Sequence, residues 1–140
     1  MQGITGVDEK NRLKMTLIDS GVYCGNSVNY ILLNNDKVTY EYLLALLNSR
    51  LLNWYFKIFS TNSNVNGYEV DGMPIPIVST TFQDKIVGIV NKIYAITKSK
   101  DYLTSAAGQV KVRDLEHQID ELVYKLYGLT EDEIKIVENS

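Results

Sequence analysis

TYEYLLALLNSRLLNWYFKIF, residues 39–59, is the stretch on which the fold turns. Thr39 is a good N-cap, and Glu41 falls in the first turn, where a carboxylate complements the positive end of the helix dipole. The spacing predicts one helix from about Tyr40 to Ile58. Its apolar set is Leu43, Leu44, Leu46, Leu47, Leu51, Leu52, Trp54, Tyr55, Ile58 and Phe59. That set is wider than a single surface stripe, so the helix is expected to be largely buried and to form the core.

Upstream, the first forty residues read as short strands and turns. Leu13, Met15 and Leu17 alternate with Lys14 and Thr16, the pattern of a half-buried strand. Val28–Leu33 is rich in β-branched and aromatic residues and predicts a second strand, closed by Asn34-Asn35-Asp36. Downstream, Ser60–Gly67 is polar, asparagine-rich and uncharged, with a turn signal at Asn66-Gly67. Met73-Pro74-Ile75-Pro76-Ile77-Val78 is expected to be extended, because each proline fixes φ and restricts its predecessor.

Two long helices are predicted next. The first runs from about Phe82 to Lys98, with Thr81 and Asp84 resembling a capping box. Its apolar residues are Phe82, Ile86, Ile89, Ile93 and Ile96. The second runs from about Val110 to Tyr127 and ends at Gly128; it carries Val112, Leu115, Ile119, Leu122 and Leu126. Two seams of near-heptad period joined by a polar linker predict an antiparallel helical hairpin. A short last helix starts at Thr130, capped by Glu133. The expected class is α+β: a small strand-rich module with one buried helix, then the hairpin and the short C-terminal helix.

Composition narrows the function. The chain has 140 residues, 45% of them hydrophobic, which fits a folded domain rather than a disordered one. No apolar run reaches membrane-spanning length, and the first twenty residues lack the apolar stretch of a signal peptide. The single cysteine, Cys24, excludes an internal disulfide and fits a reducing cytoplasm. The net charge is −3. Residues 111–140 hold four basic side chains (Lys111, Arg113, Lys125, Lys135). They also hold eight acidic ones (Asp114, Glu116, Asp120, Glu121, Glu131, Asp132, Glu133, Glu138), so this tail is −4 and residues 1–110 sum to +1. The acidity belongs to the tail, and the rest permits contact with DNA without demanding it.

No catalytic constellation is legible. His117 is the sole histidine and falls on the polar side of its helix. Cys24 and His117 are too few for a metal cage. Glu133-Ile134-Lys135 has the acid-x-lysine spacing of metal-dependent nucleases, but Glu133 is better explained as the closing member of a capping box. No phosphate-cradling Gly-rich loop follows a strand. What remains is a binding surface. Lys10, Arg12 and Lys14 alternate and could share a strand face toward phosphates. Tyr23, Asn26, Ser27 and Asn29, and then Asn62, Ser63, Asn64, Asn66 and Tyr68, supply neutral groups suited to base edges. The residues alone leave this open against an ordinary solvated strand and loop.

Tyr42 to Asn48-Ser49 and on to Leu52 resembles the Leu-Leu-Asn-Ser helix of restriction–modification specificity domains. A polar loop, the Pro74-Ile75-Pro76 strand and a helix bearing Gln83, Ile86 and Val87 follow in the same order. The ending Ile119–Thr130 is similar too. The order resembles type I restriction specificity subunits. It is closer still to the TaqI-like C-terminal specificity domain of adenine-specific DNA methyltransferases and fused restriction–methylation enzymes. The resemblance implies a target-recognition part over residues 1–79 and a docking hairpin with the C-terminal helix over 80–140. It implies double-stranded DNA as partner and no cofactor or catalysis in this piece. It also implies a methyltransferase domain in the same parent chain, which would bind S-adenosylmethionine. The competing expectation is a helical protein-interaction module that assembles through its seams and binds no DNA.

Overall fold

The computed structural model describes residues 1–7, 9–34 and 36–140. Among them six helices follow one another: α1 (Tyr40–Asn48), α2 (Arg50–Phe59), α3 (Gly67–Asp71), α4 (Thr80–Thr97), α5 (Ala106–Tyr127) and α6 (Glu131–Glu138). The architecture is helical, which corrects the expected strand-rich α+β class. The described residues hold no sheet, and their strand-type pairings are two isolated antiparallel bridges, Gln2 with Val28 and Ile4 with Asn64. The turn expected at Asn34-Asn35-Asp36 includes Asn35, which lies outside the described residues.

The period-2 pattern of residues 13–17 survives as alternating burial. Leu13 is buried, Met15 and Leu17 are half-buried, and Lys14 and Thr16 are exposed. A neighbouring strand is what this segment lacks, and helix side chains take its place. The Leu13 N–H donates to Asn53 Oδ1 at 2.7 Å. Met15 donates its N–H to Asn48 Oδ1 and accepts from Asn48 Nδ2, both at 2.9 Å. The Leu17 N–H donates to the Tyr94 hydroxyl at 3.1 Å. An asparagine amide offers a donor and an acceptor much as a peptide group does, so Asn48 substitutes for one residue of a partner strand. The second expected strand contributes only the Val28 bridge; Tyr30 and Leu32 are exposed, and the Leu33 N–H donates to the Tyr40 hydroxyl at 3.1 Å.

The central helix is two helices. Ser49 leaves the helical region with ψ 155° and is at once the C-cap of α1 and the N-cap of α2. Its hydroxyl donates to the Leu46 carbonyl at 2.6 Å and accepts from the Leu52 N–H at 3.4 Å. Asn53 Nδ2 closes the break by donating to the carbonyls of Leu47 and Ser49. From α5, the buried Asp120 accepts the Arg50 N–H at 2.9 Å and lies 3.3 Å from Arg50 Nε. A carboxylate therefore sits against the positive end of α2, supplied by another helix. The expected burial holds in part: Leu46, Leu47, Leu51 and Leu52 are buried, but Tyr55, Ile58 and Phe59 at the end of α2 are exposed, and Tyr42 and Phe56, outside the expected set, are fully enclosed.

The remaining helices close around this pair. α4 packs on α1 and α5, and α5 and α6 both pack on α2. Gln83, buried at the start of α4, donates to the carbonyls of Lys37 and Val78 and accepts the Thr39 N–H. The Pro74–Pro76 stretch stays outside the helices, and its carbonyls accept the hydroxyls of Tyr127 at 2.6 Å and Tyr42 at 3.0 Å. α4 begins at Thr80 with Ser79 as N-cap, not at Phe82 behind Thr81. α5 begins at Ala106, upstream of Val110, because the Ser105 hydroxyl accepts the Gly108 N–H; Ala106-Ala107-Gly108 carries no apolar period to announce it. Gly128 ends α5 at φ 70°, and the Thr130–Glu133 capping box starts α6, both as expected. No described helix is long and apolar enough to cross a membrane.

Two stability measurements test this arrangement. Asn53→Ala orphans the buried Leu13 N–H and the Leu47 carbonyl, while the Ser49 carbonyl keeps the backbone N–H of residue 53, and should cost about 2–3 kcal/mol in urea unfolding. Asn48→Ala strips groups nearer to water and should cost less, about 1 kcal/mol. The second concerns Asp120. Burial pushes its carboxyl up, Glu138 adds to this, and Arg50 and His117 pull it down; the balance lies above the ordinary 3.8. The folded state thus holds this proton more tightly than the unfolded state. Ionisation costs nothing below the ordinary value and its full penalty above the raised one. Asp120→Asn should therefore gain on the parent protein as pH rises from below 3.8 toward neutrality, read from thermal unfolding at stepped pH. The opposite slope would mean that the Arg50 pair outweighs burial.

Candidate functional site

Residues 1–5 run between the two neutral polar clusters and bind both through backbone groups. On one side the Gly3 N–H donates to the Ser27 carbonyl and the Asn29 N–H to the Met1 carbonyl, each at 2.9 Å. On the other, the Val65 N–H donates to the Gly3 carbonyl at 2.9 Å and the Thr5 N–H to the Ser63 carbonyl at 2.8 Å. Asn29 Nδ2 also spans the clusters directly, donating to the Val65 carbonyl at 3.1 Å. Two stretches more than thirty residues apart in sequence thus form one surface. Gly3 is the crossing point, and a Cβ there would lie 2.9 Å from the Ser27 carbonyl oxygen, closer than carbon tolerates.

Within that surface the side chains divide by task. Asn26, Ser27, Asn62, Ser63 and Asn64 are exposed, and Tyr23 is 97% exposed. Asn29 is exposed but committed to Val65. Asn66, read from sequence as a turn residue, is the N-cap of α3. Its N–H and its amide both donate to the Glu69 carboxylate, and the amide also reaches the exposed Tyr68 hydroxyl. Burial alone would raise the Glu69 carboxyl. The Asn66 hydrogen bonds and the nearby Arg12 charge outweigh it and hold the group below its ordinary value.

The three cations do not share a face. Lys10 and Lys14 are exposed, with Lys14 Nζ 2.6 Å from Glu9. Arg12 is 1% exposed and points inward. Its Nε donates to Thr5 Oγ1 at 2.9 Å, its Nη1 to the Ser60 carbonyl at 3.2 Å and its Nη2 to the Asn62 carbonyl. The guanidinium also lies 5.5 Å from the centre of the Phe56 ring. The alternation Lys10-x-Arg12-x-Lys14 predicted a common phosphate-facing row. The buried acceptors around Arg12 explain why it leaves that row.

The residues weighed for catalysis are scattered. Cys24 and His117 are exposed on a loop and on α5, and Glu133 is held by the Thr130 N–H and hydroxyl at 2.7 and 2.8 Å. Those bonds lower the Glu133 carboxyl below its ordinary value. The described residues contain no group of three or more His, Cys, Asp or Glu side chains placed to hold a metal. Sequence reading missed the role of Met1–Thr5. Gly3 and Gly6 around Ile4-Thr5 were the available signal, since closely spaced glycines mark close backbone approach.

Comparison with known families gives one match: the model of the TaqI-like C-terminal specificity domain aligns with residues 5–75. The aligned span takes in Arg12, both halves of the broken helix and the 60–66 loop, and ends before α4. No curated protein and no solved structure matches the chain.

Gly3→Ala should separate the two clusters without touching the α1–α2 core. The expected outcome is faster hydrogen exchange at the amides of Gly3, Thr5 and Val65, with exchange in α1 and α2 unchanged. Unchanged exchange at Val65 would show that residues 1–5 do not couple the loops.

Proposed function

Because the chain belongs to the family of TaqI-like C-terminal specificity domains, which serve DNA sequence recognition in restriction–modification enzymes, we propose that it reads its target with the surface gathered by residues 1–5. The observation that carries this reading is the joining of the Asn26–Asn29 and Asn62–Asn66 stretches by backbone hydrogen bonds. Asparagine amides present a donor and an acceptor side by side, the pattern that pairs with adenine in the major groove. Asn26, Asn62 and Asn64 are exposed with no hydrogen bond among the described residues engaging their amides. They are the proposed readers, with Tyr23, Ser27 and Ser63 beside them. Asn29, Asn66 and Tyr68 serve by holding the shape. Lys10 and Lys14 are the proposed phosphate contacts, positioning the domain rather than specifying the base.

A specificity domain is not itself catalytic. We propose that a methyltransferase domain of the same parent chain binds S-adenosylmethionine and modifies the DNA. Residues 1–79 would form the recognition part, and α4–α6, within residues 80–140, would dock on that domain. With two exposed lysines as phosphate contacts, affinity for unrelated DNA is expected to be weak and to fall only shallowly with salt, because the slope scales with the number of phosphates neutralised.

The test is capture of a duplex pool with a randomised core by the full-length protein. Selective enrichment of one sequence is the expected result. Asn62→Ala combined with Asn64→Ala should reduce that enrichment roughly tenfold or more, at unchanged thermal stability. Unchanged enrichment would remove the 60–66 loop from the reading surface. If the full-length protein enriched nothing and sedimented as a concentration-dependent oligomer, the interaction-module reading would replace this one.

A further inference from the structure

We infer that Arg12 is a positioning residue for sequence discrimination: without touching DNA, its buried guanidinium fixes where the Ser60–Asn62 backbone sits relative to Thr5. This inference rests on the specificity reading above. A guanidinium is a rigid planar fork of five donors, so the groups it binds are held in a set mutual geometry. Here the fork takes the carbonyls of Ser60 and Asn62, two residues apart on the loop, and Thr5 Oγ1 on the crossing segment. The Thr5 hydroxyl then donates back to the Arg12 carbonyl at 3.2 Å, closing the circuit. Asn62, a proposed reader, carries one of the clamped carbonyls, and the second reader on this loop, Asn64, follows two residues later.

Stability alone is a poor reason for this residue. A buried cation loses its hydration, and apolar packing of similar volume often stabilises as well or better. The fork supplies something that packing cannot: a fixed spacing between a surface loop and the segment that joins it to the second cluster. Loops are ordinarily the mobile part of a domain, and a reader that wanders by a fraction of an ångström loses the geometry of a bidentate base contact. The site also excludes Arg12 as a phosphate ligand in this conformation, because its side chain is closed off from water and each of its three nitrogens already donates to a protein oxygen.

Arg12→Lys separates the two roles, since lysine keeps the charge but loses the fork. Thr5→Val is the companion variant; it removes one anchor with little change of shape. Each is made in the full-length protein and challenged with the randomised duplex pool across a salt series. The expected result for both is enrichment reduced about tenfold, with retention of unselected duplex and its salt slope as in the parent protein. Arg12→Lys with parental enrichment overturns the inference. So does a loss of unselected binding with a shallower salt slope, which marks a phosphate contact. If Arg12→Lys fails to fold, Thr5→Val decides, and parental enrichment there overturns the inference. A parent protein that enriches no sequence removes the specificity reading and this inference with it. A discriminating parent with unchanged variants removes this inference alone.

Discussion

The bond from the Leu13 N–H to Asn53 Oδ1, at 2.7 Å, is the hinge of this structure. Leu13 must enter the core, and its peptide group must go with it. A peptide N–H buried without a partner costs about 1–3 kcal/mol, enough to cancel most of what burying the leucine side chain gains. In a sheet the neighbouring strand settles that debt. Here an amide on α2 settles it, a second amide on α1 settles the next position, and the Tyr94 hydroxyl on α4 settles the one after. The N-terminal segment is therefore laid along helices, and everything it carries takes its position from α1 and α2. That includes the Gln2 N–H on the Lys14 carbonyl, the Gly3 crossing and the two polar clusters.

The same fact explains what could be read in advance and what could not. Alternation of apolar and polar residues at 13–17 reports an extended chain with one buried face, and that much was legible. It says nothing about who supplies the hydrogen bonds. The helix at 40–58 was legible from its apolar breadth, and so were the Gly128 stop and the Thr130–Glu133 cap, because each is a local signal. The break at Ser49 was not, since leucines continue at helical spacing on both sides of it. Its partners are polar groups rather than apolar ones: Asp120 from α5 takes the Arg50 N–H, and the Asn53 amide takes the freed Leu47 carbonyl. Arg12 failed as a surface cation for a like reason. Its burial depends on carbonyls at Ser60 and Asn62, nearly fifty residues away, which no window around Lys10–Lys14 contains.

The motifs that carry the resemblance acquire physical content from this. In Leu46-Leu47-Asn48-Ser49, the leucines fill the core, the asparagine pairs with the Met15 backbone, and the serine ends one helix while starting the next. In Pro74-Ile75-Pro76, neither proline has an N–H to satisfy, and the free carbonyls receive Tyr127 and Tyr42. Burial pushes the Tyr42 hydroxyl up to about 12, so it remains a donor throughout the physiological range. Gln83 joins the chain before α1 to the chain before α4 through three backbone groups. Asn48, Ser49 and Gln83 are polar side chains that take over work usually done by backbone, which a hydrophobic pattern does not record.

The acidic charge of the chain looks at first like an argument against DNA, and its placement on the later helices removes that objection. Asp120 is spent at the start of α2, Glu138 lies 3.9 Å from Arg50, Asp132 pairs with Lys135 at 2.9 Å, and Glu133 closes a helix cap. These acids sit on α5 and α6, outside the span aligned with the specificity-domain family. Asp120 and Glu138 face Arg50 on α2, while Asp132 and Glu133 act within α6 and its cap. The surface joined by residues 1–5 is close to neutral and carries amides and hydroxyls. Such a surface has little long-range attraction for phosphate, so under the proposed reading its selectivity would come from short-range geometry. Short-range geometry is only as good as the rigidity behind it. That is why the backbone crossing at Gly3 matters as much as the side chains that face outward.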